Sequence, residues 1–289
     1  MTLRNTIIAL GIFASACVDT GRDHASIPLF VAGTDVMEPV EAAGGIPITI
    51  DRADLAFGPL YLCAGASAGD LCDAVRLEWL ETIVIDATSG TPERAGELVG
   101  VTGPVRSYMY DLGISSQLTS TRPFILDAAE ELAGASLVVE GTAEVDGIEL
   151  PFAASVPIQQ TGETELGVPI IRKSTSERFF RDVGQDEPGL LVRVDASAWL
   201  RAIDLSPYVA RETCVADGPA IACDGTVERS CEGDLELEQR DCAELEQVCL
   251  PDRGCAERLQ IERESEAFRS LRNAVVSQAR PSFDWGYAP

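Results

Sequence analysis

The chain has 289 residues, 47 acidic against 22 basic, for a formal net charge of −25. Nucleic acid and anionic headgroups are poor partners for such a surface; solubility of an exported protein, cationic ligands and carboxylate-held calcium fit it better. His24 is the single histidine and Lys173 the single lysine, so a Ser-His-Asp or Cys-His engine and His-containing zinc sites have nothing to be built from in the body. Neither a Gly-x-x-x-x-Gly-Lys loop nor a Gly-x-Gly-x-x-Gly turn occurs, and no cofactor is indicated.

The chain opens with Arg4, then an apolar run over residues 6–16 that closes on Ala14-Ser15-Ala16. This is the charge, length and exit chemistry of a signal peptide over residues 1–16, too short for a permanent span. Cys17 follows at once. Ala14-Ser15-Ala16-Cys17 resembles the lipobox of bacterial lipoproteins, departing from its commonest form at Ala14, where Leu is usual. The resemblance implies that Cys17 is the lipid attachment site, its thiol diacylated, the signal then cut and the new amino group acylated. Several acyl chains anchor stably where one is marginal. Val18, in place of Asp, implies the outer membrane of the cell envelope. No later segment approaches a membrane-spanning apolar run.

Residues 17–45 are small and polar and read as a lipidated tether, with room for one early strand around residues 27–31. Residues 46–210 read as β. Ile46, Ile48 and Ile50 alternate, as do Val75, Leu77 and Trp79. The clearest element is a hairpin in which Asp146-Gly147 separates two alternating runs. Short helices are expected over 127–133 and 198–203. Frequent turn residues favour an antiparallel sandwich over an α/β fold. Cys63 and Cys72 flank a small, Gly-containing loop, as a disulfide would.

Residues 211–258 form an acidic, Cys-rich module with Cys214, Cys223, Cys231, Cys242, Cys249 and Cys255. Apolar residues are sparse, so disulfides must hold it. No Cys-x-x-Cys pair occurs, which speaks against a zinc ribbon. Without Cys17 the cysteines number eight, which allows full pairing; their connectivity stays open, with cross-strand proximity favouring Cys223 with Cys242. Alternating runs flanking Glu232-Gly233-Asp234 predict a second hairpin. In residues 259–289, Phe268, Leu271 and Val275 share a helix face, and Phe283 and Trp285 one side of a final strand that returns to the β domain. The lipobox, the runs DLAFGPLYLC and VRVDASAWLRAIDL, the Cys-rich insert and PSFDW together resemble uncharacterised β-rich bacterial lipoproteins, a resemblance that implies no activity.

Candidate sites are few. Tyr108, Tyr110 and Asp111 are the candidate ligand rim, against an alternative in which the tyrosines pack on a sheet. Trp79, Trp199 and Trp285 sit in apolar context and are expected in the core. Asp182, Asp186 and Glu187 are possible calcium ligands without EF-hand spacing. No catalytic residue is named. The leading expectation is a lipid-anchored envelope protein with a non-catalytic binding or scaffolding role, its partners the membrane and an envelope protein. The alternatives are a small-ligand or calcium-binding lipoprotein and a carboxylate-only hydrolase.

Overall fold

The computed structural model describes residues 22–66, 72, 74–115, 124–145, 147–157, 171–173, 180–205, 208, 214, 221–224, 226–232, 234–250, 253–278 and 280–289. Its elements start inside the stretch expected to be a tether. Strand β1 (His24–Ala32) contains the early strand expected around residues 27–31 and buries Ala25, Ile27, Leu29 and Val31 on alternate positions, so from His24 onward the chain is part of the β body and the tether reading is corrected there. Pro28 is tolerated because pairing with a second neighbour begins only at Leu29.

Strands β2 (Val40–Glu41), β3 (Pro47–Phe57), β4 (Leu60–Cys63), β5 (Val75–Trp79), β6 (Ile83–Asp86) and β7 (Glu93–Val101) follow. Then come β8 (Gly103–Val105), β9 (Ser107–Tyr110), β10 (Ile114–Ser115), β11 (Phe124–Ile125) and helix α1 (Asp127–Glu131). The long hairpin β12 (Ala135–Val145) and β13 (Ile148–Pro157) turns at Gly147, whose φ of 81° suits glycine. Next are β14 (Ile171–Lys173), β15 (Arg181–Val183), β16 (Leu190–Arg193) and helix α2 (Ala196–Leu200). Asp195 caps α2 by accepting from the Ser197 and Ala198 amides. The acidic module contributes β17 (Ile221–Asp224), β18 (Val227–Glu232), β19 (Leu235–Asp241), β20 (Val248–Leu250) and β21 (Gly254–Ala256), and β22 (Leu259–Gln260) follows it directly. Helix α3 (Glu266–Asn273), capped by Ser265, and β23 (Ser282–Trp285) end the chain.

The fold is mainly β and sandwich-like. One sheet has eight strands in the order β14-β9-β4-β5-β7-β1-β16-β23, and the other has six, five in the row β2-β3-β12-β13-β22 and β6 beside β3. The pairs β1–β16 and β13–β22 are parallel, so the sheets are mixed where wholly antiparallel pairing was expected. Their facing side chains share one core: Ile27, Leu62 and Val192 from the first meet Leu137, Val139 and Phe152 from the second, and Phe268 and Leu271 of α3 join them.

The eight-stranded sheet curls strongly. Six strand spacings separate β9 from β23, about 29 Å in a flat sheet. Yet the rings of Tyr108 on β9 and Phe283 on β23 stand 4.4 Å apart, centroid to centroid. The final strand pairs with β16, Trp285 opposite Leu190 and Phe283 opposite Val192, which brings these two aromatics into the curl. The last strand is thus a wall of the core.

Candidate functional site: an acidic, stapled module

The curled sheet answers the question of the tyrosine rim. Tyr108, Tyr110 and Asp111 are 8 %, 1 % and 0 % exposed, so they form no surface rim. Tyr108 and Tyr110 stack within the core, Tyr110 against Phe57 and Phe57 against Trp79. Burial pushes the Tyr110 phenol well above its ordinary range and raises those of Tyr108 and Tyr61, with the Asp111 charge adding to the effect at Tyr61. Trp79 and Trp199 are buried and Trp285 half-buried.

The acidic loop residues do not converge either. Arg181 makes a two-point ion pair with Glu187, its Nη2 2.5 Å and its Nε 3.1 Å from the two carboxylate oxygens. Asp182 and Asp186 are exposed beside it. One guanidinium therefore occupies both oxygens of the carboxylate a cation would need most.

What remains is the Cys-rich module. Four disulfides form: Cys63–Cys72, Cys214–Cys231, Cys223–Cys249 and Cys242–Cys255. The expected Cys223–Cys242 link is corrected. Strand β18 lies between β17, which carries Cys223, and β19, after which Cys242 falls. Two strand spacings, about 9.6 Å, exceed what a disulfide bridges. Instead, Cys223 ties β17 to β20, and Cys242 ties the end of β19 to β21. Cys223, Cys242 and Cys249 pack together as the module's own small core, with Cys255 against them.

Electrostatics complete the frame. Arg229 on β18 is gripped by Glu236 on β19 and Asp224 on β17, each at 2.6 Å, one cation across all three strands. The Arg229 guanidinium and the Gln239 amide, both hydrogen-bonded to Glu236, lower the Glu236 pKa. The Glu228 carboxylate accepts the Cys255 amide at 2.8 Å. Among the described residues, Glu228, Cys242 and Cys255 are the one group of three metal-ligand atoms within 4.8 Å of one another. Both sulfurs are bonded to each other, so a single carboxylate is left to bind anything there.

The module joins the body at one edge. Leu259 pairs with Phe152 of β13, Leu250 and Ile261 reach the main core, and Arg258 bonds Glu140 at 2.8 Å. Its far side is different: all seven residues of β19 are exposed, Leu235 and Leu237 by more than half. Leu245 in the following 3-10 turn is exposed too. Alternation foretold the hairpin; that one of its strands would bury neither face was not legible, because alternation normally marks one buried face.

Cys17 and the lipobox lie outside the described residues. Among those described, no helix is long and apolar enough to cross a membrane. No family model and no curated protein matches the chain. Among solved structures the chain is similar to MbnP from Methylosinus trichosporium, at 11% identity and a TM-score of 0.37, with 92% of this chain and 100% of that one covered.

Proposed function

We propose that the chain is a lipid-anchored protein of the bacterial cell envelope, held at the outer membrane through Cys17, that binds or scaffolds a partner protein through its acidic module and catalyses no reaction. The observation that carries this reading is the β18–β19 hairpin. Its outer strand buries no side chain, yet three disulfides and the Arg229 clamp fix the unit that presents it. A rigid surface that contributes little to its own core is economical only as a contact for something else.

The test is in-cell crosslinking of the full-length protein with mass spectrometry of what it captures. Capture of a specific envelope protein through residues 212–258 is expected. Recovery of lipid and bulk neighbours alone would count against a partner. The anchor has its own test. Cys17→Ala should move the protein from the membrane to the soluble fraction, and an unchanged membrane fraction would remove that part of the reading.

A further inference from the structure

Strand β19 is the open edge of the three-stranded sheet β17-β18-β19. The other edge is occupied: β17 carries the buried Ala222 and Cys223, the latter bonded to Cys249 on β20. On β19 neither face is covered, and its main-chain groups on the side away from β18 have no strand beside them among the described residues. Short strands with so little burial are marginal in water. This one is held extended from outside, by the ladder to β18, by the Glu236–Arg229 pair and by the Cys242–Cys255 bond just past its end. It is a pre-formed template whose ordering cost is already met within the fold.

We infer that β19 is a docking edge for an extended, basic segment of a partner protein, which adds to the sheet as a fourth strand. The inference rests on the proposed binding role and names its mode. Main-chain hydrogen bonds along β19 supply affinity, and alternate side chains supply selectivity. The strand reads Leu235-Glu236-Leu237-Glu238, after Glu232 and Asp234 in the turn. Lysines or arginines of the added strand meet the carboxylates, and its apolar residues cover Leu235 and Leu237. A second copy of this chain is disfavoured, because each molecule carries a net charge of −25 and two of them repel. The irregularity opposite Ser230 and Cys231, which leaves Leu237 as an extra residue, adds local twist. Bulges and charges of this kind suppress indiscriminate edge pairing, so the edge accepts only a strand of matching charge.

The experiment uses the full chain and a synthetic eight-residue peptide of alternating lysine and valine. Its control is the same peptide with alternate main-chain nitrogens methylated, which keeps charge and removes one edge of hydrogen bonds. Amide hydrogen exchange is followed over residues 235–241 together with affinity. The unmodified peptide should slow exchange in β19, and the methylated one should bind at least about tenfold more weakly, the loss expected from removing one or two net hydrogen bonds. Glu238→Lys should weaken binding of the unmodified peptide by about fivefold, the scale of one exposed ion pair. Equal binding of the two peptides would show attraction by charge alone and overturn the inference, as would protection elsewhere or none. A partner crosslinked through residues 212–258 whose binding leaves β19 exchange unchanged would also overturn it while leaving the proposed function intact. The absence of any crosslinked partner would instead fell that function.

Discussion

Tyr110 sits between Phe57 and Tyr108 with its hydroxyl buried and, among the described residues, without a hydrogen-bond partner. A buried hydroxyl in that state costs its desolvation and returns nothing. Tyr110→Phe keeps the ring and removes the cost, so it should raise stability by about 1 kcal/mol. Denaturant unfolding checks this, and a clear loss would show that the hydroxyl holds something the structure does not reveal. The same burial sets an alkaline limit. Tyr61, Tyr108 and Tyr110 all have phenols raised above their ordinary range. In the unfolded chain they ionise near pH 10, while in the fold they keep their protons, so above that pH the native state binds more protons than the unfolded one. Their contribution is therefore complete below about pH 10 and falls as pH rises through the folded values. Melting followed between pH 8 and pH 11.5 should show a Tm that declines at the top of the range and less steeply in Tyr110→Phe. An equally steep decline in the variant would assign the effect to other groups.

At the scale of elements, the long hairpin β12–β13 is the framework of the second sheet, and Gly141 shows how close its packing is. A Cβ built there would stand 2.4 Å from the Thr49 carbonyl oxygen on β3 and 3.2 Å from the Phe152 ring. Backbone cannot give way as a flexible side chain does, so Gly141→Ala should cost about 1–3 kcal/mol by overpacking, read as a lower denaturation midpoint with the slope unchanged. A neutral result would mean that β3 and β12 separate more easily than their ladder implies. Hairpins of this kind were legible because their turn residues and alternation agree: Gly147 and the Glu232–Asp234 turn both mark reversals in the sequence. Phe268 and Leu271 likewise announced α3, which buries that face. What stayed hidden was non-local. Strand β1 was legible only around residues 27–31, because His24, Ser26 and Pro28 interrupt its apolar residues, and only the strands on either side show why those positions are harmless. The disulfide partners within the Cys-rich module were hidden for the same reason, since strand order decides which sulfurs can meet, whereas Cys63 and Cys72 are paired as their short loop implied. The tyrosine pair on β9 could be read as rim or as core. A curl that brings β23 over β9 decides for the core, and local pattern carries no sign of it.

For the whole molecule, the question is what keeps body and module together as separate centres of stability. The module's core is mostly sulfur: Cys223, Cys242 and Cys249 are buried with Cys255 beside them, while the body's core is aliphatic and aromatic. Replacing Cys223 and Cys249 by alanine should cost about 2–5 kcal/mol, and the loss should fall on the module, seen as faster amide exchange in β17–β21 with the Tyr and Trp fluorescence of the body unchanged. The body is closed by the chain's last strand. Removing residues 281–289 takes away the partner of β16, the Phe283 ring against Tyr108 and the half-buried Trp285. Two aromatic side chains of this burial contribute about 3 kcal/mol together, and for a chain of this size that corresponds to a fall in Tm of about 5 °C. The direction of spread is the informative part. If β23 closes the curl, its loss exposes Tyr108 and Tyr110 as well, so the truncated protein should bind a hydrophobic dye and its tyrosines should ionise nearer pH 10. The three module disulfides should meanwhile stay formed under non-reducing conditions. Truncation that leaves melting and tyrosine titration unchanged would mean that the eight-stranded sheet holds its curvature without its last strand.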